Sequence, residues 1–397
     1  MQAPLTLLRA AFVRQPFRLG QGVVVMGWSG LTLVLMRVQA LSSARVGGLT
    51  QTLVWLSAGV ASGVLVLLLL ALAAQTALRF FSRPSPLGES ELALERRRIP
   101  SLSASAALAV GMILLASVWF QLGYPSASGL LWCLGASLEA LTSGVVFCRL
   151  FQARGQEGFW AQITPTLLIP AVGNALVVLA GVPLGFTVWS ALQFVLGCAC
   201  WPVVSRLLTR RLERLGPLPL AVLPTWCIVL SPPSVVGLGL LVWRQEMVGG
   251  QGQAFWAWTA GAWGCWLVAS LSLWQLKAQA RAILSASFGM PHWALSFPLA
   301  AYASLTWALL AGLLTAVMAS PATPHLPWGF MMAAMTTAMT TAMTTVMWTV
   351  MCAVMWLWSS LLLFGVLAIL LTLSVKTLQL LHQSWRALEQ TLGLGAH

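Results

Sequence analysis

Long apolar runs, separated by short charged or turn-rich stretches, cover almost the whole chain. About 20 apolar residues cross the core of a bilayer, and the chain divides into ten runs near or above that length. The predicted spans are 20–39, 52–78, 103–122, 127–151, 164–184, 186–208, 220–243, 254–276, 288–318 and 346–375. This pattern predicts an all-α polytopic membrane protein with a single transmembrane domain over residues 1–397.

The positions of the basic residues support this division, because Lys and Arg collect in the cytoplasmic loops of membrane proteins. All of the 21 Lys and Arg residues except Arg37, Arg45 and Arg244 fall on the side of the amino terminus. Both termini are therefore predicted to be cytoplasmic. Basic loops beside an anionic leaflet also account for the net charge of +13, so we expect membrane lipid and no nucleic acid as a partner.

Helix-breaking residues differ between odd and even spans. The fifth, seventh and ninth spans contain prolines, and the first and third contain glycines instead. The candidate break positions are Pro170, Pro232, Pro233, Pro298, Gly27 and Gly111. Broken membrane helices occur where protein or a water-filled cavity covers the freed backbone groups. We therefore expect five inner, odd, pore-lining helices surrounded by five outer, even helices; the alternative is that Pro and Gly are simply common in membrane helices.

The tenth span has an unusual composition. No charged residue occurs between positions 328 and 375, and Met recurs every four residues from Met335 to Met355. We interpret 319–345 as a Met/Thr-rich low-complexity segment, with a Cu(I) path along the thioethers as the alternative. One helix over the whole uncharged stretch would be about 72 Å long. The pattern leaves open whether this region crosses the membrane once or twice.

The chain lacks the residue sets of an enzyme. It contains no aspartate, and its four histidines fall at loop or terminal positions. Paired acids and bases, or clustered metal ligands, are needed for hydrolysis. We therefore expect no enzymatic activity, no metal site and no cofactor.

Glu139, in the fourth span, is the ionisable group that lies well inside a predicted helix. Such groups are costly in a membrane and are functional by default. Three interpretations remain open: Glu139 couples protons to transport, it is protonated and bonds a neighbouring helix or subunit, or a tilted span carries it to the interface.

The broken spans carry no Lys or Arg in their interiors, which bears on selectivity. A pore without fixed charge stabilises ions through backbone dipoles, hydroxyl groups and helix ends, and the amino ends of half-helices favour anions. The candidate hydroxyls near the breaks are Ser231, Ser234, Ser296, Ser304 and Thr306. Weak binding of this kind suits a channel.

Four stretches together resemble the tellurite-resistance/dicarboxylate transporter family, which includes tellurite-resistance permeases, malate permeases and plant slow anion channels. They are ESELALERRRIPSLSASAALA from position 89, ITPTLLIPAVGNALVVLAG from 163, VLSPPSVVGLGLL from 229 and WALSFPLAAYA from 293. The similarity extends over about residues 16–318 and occurs in family order. The Met/Thr-rich region departs from the family.

The resemblance implies a homotrimer in which each protomer has its own pore, formed by the five odd helices. In the family a phenylalanine on the ninth helix closes that pore, and the matching residue here is Phe297. The implied function is transport of small inorganic or organic anions, by a channel or facilitator, in the bacterial inner membrane. The alternatives are a proton-coupled carrier of dicarboxylate, sulfite or another oxyanion, and a membrane scaffold or sensor that transports nothing.

Overall fold

A computed structural model describes residues 19–41, 44–81, 98–247, 253–318 and 331–392 of the protein. Within these ranges the regular secondary structure is helical. The helices are α1 (Gly22–Leu41), α2 (Ala44–Phe81), α3 (Ile99–Gln121), α4 (Pro125–Gln152), α5 (Leu168–Leu176 and, beyond Val177, Val178–Gly181), α6 (Thr187–Leu215), α7 (Ser231–Met247), α8 (Gln253–Ser285), α9 (Ser296–Met318) and α10 (Met331–Leu392). Each of the ten predicted spans overlaps one of them.

Five helices pack in a closed ring. In chain order α1 packs against α3, α3 against α5, α5 against α7 and α7 against α9, and α9 closes the ring on α1. Each of the other five helices packs outside the ring member that precedes it in the chain. The helices are therefore arranged as five consecutive pairs, each with one member in the ring and one outside it.

The burial of the helices follows the same division. In the most apolar windows of the ring segments Gly22–Leu41, Ile99–Gln121, Leu223–Met247 and Met290–Leu314, 56% to 78% of the residues are buried. In α4, α6 and the apolar stretches of α2 and α10 the share is 28% to 33%. Large apolar side chains of the outer helices remain exposed, among them Leu141, Leu192 and Phe364. An exposed apolar surface of this extent fits helices that face lipid.

Eight helical segments in the described part of the chain are long and apolar enough to cross a membrane. The segment Pro165–Gly181, which contains α5, is apolar but shorter, and α8 is not among the eight. The protein is thus an α-helical integral membrane protein, and the count of ten spans stays a prediction.

Four ring helices follow directly on a 3-10 helix: α1 follows Leu19–Gln21, and α5, α7 and α9 begin in the same way with prolines in their first turns. A 3-10 helix runs directly into the α-helix at Pro165–Leu167 before α5, at Leu223–Leu230 before α7 and at Met290–Leu295 before α9. The prolines follow within the first three α-helical residues. A proline is tolerated there because the first amides of an α-helix have no partner in the helix itself. The predicted breaks are therefore changes of helix type at the helix start.

The last helix is long and uninterrupted. α10 runs for 62 residues, or about 93 Å at 1.5 Å per residue. It contains no turn at which the chain could reverse, so residues 331–392 do not cross a membrane twice. Of the predicted low-complexity segment, residues 319–330 lie outside the described residues and 331–345 belong to α10.

Candidate functional site

A small cavity lies at the centre of the ring and is lined by all five ring helices. Its volume is about 20 Å³, which is close to the space that one water molecule needs. The lining residues are Gly30, Leu33, Leu114, Leu176, Leu179, Val235, Leu238, Phe297, Ala300, Ala301 and Ser304. The lining carries no charge, and Ser304 supplies its one polar side chain.

Phe297 is the largest side chain of the cavity wall. It lies at the second residue of α9 and is only 3% exposed. Gly30 of α1 allows the close approach of this helix start: a Cβ atom at Gly30 would lie 3.4 Å from Cδ2 of Phe297 and 3.0 Å from Cβ of Ala300. The ring of Phe297 is therefore packed between α1 and the body of α9.

The predicted proline positions do not line the cavity. Pro170, Pro232, Pro233 and Pro298 lie in the first turns of α5, α7 and α9 and are absent from the cavity wall. Their role is to shape the helix starts.

Each of these helix starts has a side-chain donor on a nearby carbonyl. Ser296 Oγ donates to the carbonyl of Trp293 at 2.7 Å, and Ser234 Oγ donates to that of Leu230 at 2.8 Å. In α5, Asn174 Nδ2 donates to the carbonyl of Pro170 at 2.8 Å. The predicted hydroxyls Ser234 and Ser296 thus bond their own backbone, which satisfies carbonyls near the change of helix type.

The first amides of these α-helices are not free. The amide of Ser231 donates to Ile228, that of Ser296 donates to Trp293, and that of Leu168 donates to Pro165 and Thr166. We expected half-helix amino ends to stabilise an anion, but these amides are used by the 3-10 helices. Among the candidate hydroxyls, Ser304 is the one that reaches the cavity.

The predicted glycines lie in continuous helices and mark close contacts. A Cβ atom at Gly27 would lie 2.6 Å from Ser296 Oγ, and one at Gly111 would lie 3.1 Å from Cβ of Val25. Gly27 therefore brings α1 against the start of α9, and Gly111 brings α3 against α1. Neither glycine interrupts its helix.

Glu139 lies outside the ring, on the face of α4 that packs against α5. Its side chain is fully buried. Ser143 Oγ donates to Glu139 Oε1 at 3.0 Å, and Asn174 Nδ2 donates to Ser143 Oγ at 2.7 Å. A Cβ atom at Gly173 would lie 2.4 Å from the carboxyl carbon of Glu139. The buried acid thus contacts a ring helix directly, close to the proline of that helix.

Sequence reasoning missed Gly173 and Asn174, which hold this contact. Asn174 is the single asparagine of the chain and lies four residues after Pro170 in an apolar run. An amide side chain at this distance from a helix-start proline could have been identified as a partner for a freed carbonyl. The contact between Gly173 and Glu139 joins two helices, and no local pattern reports it.

Comparison with known proteins identifies the family of the chain. The model of the voltage-dependent anion channel family matches residues 17–355 of the chain. None of the curated proteins matches the chain. The matched region contains the ring helices, the cavity and Phe297. By this match over most of its length, the chain belongs to the voltage-dependent anion channel family, an anion-transporting family of membrane channels.

Proposed function

We propose that this protein is an anion channel whose path runs through the centre of the helix ring and is closed by Phe297. The observation that carries the proposal is the small, uncharged cavity to which all five ring helices contribute. Leu33, Leu114 and Leu238 line the same cavity as Phe297. Rotation or removal of one aromatic side chain would widen the narrowest described part of the path.

The composition of the cavity favours weak binding of the permeating ion. One hydroxyl, Ser304, faces a lining that is otherwise apolar. A site that is too favourable would trap the ion, whereas conduction requires that the ion also leave. We propose small anions as permeants, such as chloride, nitrate, malate-type dicarboxylates, sulfite or tellurite-related oxyanions.

The proposed assembly is a homotrimer in the bacterial inner membrane, with both termini in the cytoplasm and one pore in each protomer. Five inner and five outer helices would then correspond to the ring and its partners. The exposed apolar residues of the outer helices, such as Leu130 and Leu134 of α4, provide surface for lipid or for neighbouring protomers.

The test is anion current through the purified full chain in lipid bilayers. Phe297→Ala should raise the current by on the order of tenfold, equivalent to about 1.4 kcal/mol removed from the barrier. Substitution of the anion should move the reversal potential. Phe194→Ala is the matched control, since Phe194 is also buried but lies outside the cavity. Equal currents in the wild type and Phe297→Ala would contradict the gate.

A proton-coupled carrier is the second candidate, because a fully buried acid contacts ring helix α5. In that case a pH gradient alone would drive anion accumulation in liposomes. A channel would show no accumulation beyond that driven by the membrane potential. Absence of anion flux in both the wild type and Phe297→Ala would instead favour a scaffold or sensor.

A further inference from the structure

The interface between α4 and α5 contains a buried carboxyl group whose hydrogen bonding is incomplete. Glu139 Oε1 accepts from Ser143, but Glu139 Oε2 has no partner among the described residues. Buried polar atoms in proteins are nearly always paired, so an unpaired carboxylate oxygen needs an explanation.

The unpaired atoms around Glu139 are all oxygens. Besides Oε2, Asn174 Oδ1 and Gln193 Oε1 are buried without a partner in the described structure. Gln193 of α6 joins the same interface, since its Nε2 donates to the carbonyl of Ala136 at 3.1 Å. Acceptors alone cannot satisfy one another, and a proton on the carboxyl group would add the missing type of atom, a donor. The packed interface therefore suits the protonated acid.

The ionised acid fits this interface poorly. A buried charge is costly without a partner of opposite sign. α3 from Ile99 to Gln121 and α5 from Leu168 to Gly181 carry no titratable side chain. α4 itself carries Cys133, Cys148 and, ten residues away at its end, Arg149; α6 carries Cys198 and Cys200, and its Arg and Glu residues all lie beyond position 205. None of these groups provides a nearby positive charge for Glu139.

The contact between α4 and α5 at Glu139 leaves no space in which the carboxyl group could shift slightly. Glu139 lies against Gly173, where even a methyl group would approach the carboxyl carbon to 2.4 Å. Hydration of an ionised carboxylate would therefore have to separate α4 from α5. Leu176 lies three residues beyond Gly173 on α5 and lines the cavity, so a shift of α5 would move the cavity wall.

We propose that Glu139 is a positioning residue of the pore: its protonated form holds α5 in the packed, closed arrangement, and its ionised form displaces α5 and widens the path. This inference rests on the proposed anion pathway and assigns to that pathway a regulation by pH. No proton travels with the anion.

The test is anion current at equal pH on both sides of the bilayer, measured from acid to alkaline pH. The wild-type current should rise with pH, by at most about tenfold per pH unit because a single proton is involved. Glu139→Gln, a neutral isostere of the protonated acid, should stay at the low acid-side level throughout. Glu157→Gln, which changes an exposed loop glutamate, should keep the wild-type profile.

Three outcomes would overturn the inference. These are a flat wild-type profile, a pH profile in Glu139→Gln equal to that of the wild type, and, in a separate recording with different pH on the two sides, a reversal potential that follows the pH gradient, which would indicate proton coupling. A merely structural Glu139 would be replaced by Gln without a change of the pH profile. If current is absent even from Phe297→Ala, the proposed function itself fails, whereas current without pH dependence contradicts only the role of Glu139.

A second variant guards against misfolding of Glu139→Gln. Gly173→Ala places a methyl group against the carboxyl group and should push α4 and α5 apart at every pH. Its current should be raised several-fold on the acid side and should depend less on pH. An unchanged profile in a Gly173→Ala protein that still inserts and purifies would contradict the inference independently.

Discussion

The five ring helices are built in two different ways. α1 and α3 are continuous and pack through glycines, whose missing side chains admit the backbone of a neighbouring helix. A Cβ atom at Gly22 of α1 would lie 2.5 Å from the backbone nitrogen of Leu108 in α3. α5, α7 and α9 instead each combine a preceding 3-10 helix with prolines in the first turn. Within the described residues, α1 has only the 3-10 helix, Leu19–Gln21, and α3 has only the proline, Pro100. The choice of glycine at these positions is thus determined by contact with a neighbouring helix, whereas the choice of proline is determined mainly by the backbone of the helix that contains it.

This difference reverses the order of effects that helix-breaking propensity alone would predict for replacing proline and glycine. Proline is the stronger breaker in a helix interior, where it costs about 3 kcal/mol or more. In the first turn of an α-helix it removes no hydrogen bond between residues of that helix, so its replacement should matter little. Replacement of a glycine against a backbone should matter more, because a backbone cannot rotate away. Four substitutions test this comparison.

The largest effect is expected for Gly22→Val. The new side chain would meet backbone atoms of Ala107 and Leu108, and overpacking against a fixed neighbour costs about 3 kcal/mol or more. Thermal unfolding of the purified protein in detergent measures the loss. Gly59→Val on α2 is the control, since a Cβ atom there meets nothing within 4 Å. Equal stability of the two variants would remove the argument for glycine packing between α1 and α3.

A smaller loss, about 1–3 kcal/mol, is expected for Gly27→Ala. At Gly27, α1 contacts the start of α9, and the added methyl group would clash with Ser296. Ser296→Gly should relieve part of the loss, because the clashing side chain is then gone. A double-mutant cycle on unfolding free energies measures the coupling. Strict additivity would show that the two residues do not meet.

Ser296→Ala should cost about 0.5–1.5 kcal/mol, the net value of one hydrogen bond. The lost bond is the one from Oγ to the carbonyl of Trp293 at the start of α9. Ser272→Ala on outer helix α8 removes a comparable bond to the carbonyl of Val268 and serves as the matched variant. A greater loss at Ser296 than at Ser272, measured by denaturant unfolding, would indicate that the 3-10 to α transition needs its side-chain donor.

The smallest effect, below about 1 kcal/mol, is expected for Pro298→Ala. Pro298 is the third residue of α9, so no hydrogen bond of the helix depends on its missing amide. Ala308→Pro, thirteenth in the same helix, should cost about 3 kcal/mol or more because an interior bond is lost. Similar unfolding temperatures for both variants would show that position within α9 does not govern the effect of proline.

The prolines also show which structural features can be predicted from the local sequence. Pro170, Pro232, Pro233 and Pro298 were predicted to mark breaks in the odd spans, and each lies beside a change from 3-10 to α-helix. Because proline acts on its own backbone, its effect can be read without knowledge of the fold. The glycines could not be interpreted in this way: Gly27 and Gly111 were predicted as helix-break positions, and they lie in continuous helices at close contacts.

The membrane class and the alternation of spans followed from the sequence alone, and the family from a match along it. Hydropathy, charge asymmetry and proline positions are local quantities, and they sufficed to predict an all-α membrane protein. The resemblance to anion channels came from the four stretches quoted above. Phe297 was proposed from that resemblance. What only the tertiary structure decided was which residues meet: that five helices close a ring, that they enclose a cavity at Phe297, and that Glu139 lies on Gly173. Such contacts depend on the relative placement of helices distant in the chain, which periodicity and composition do not encode.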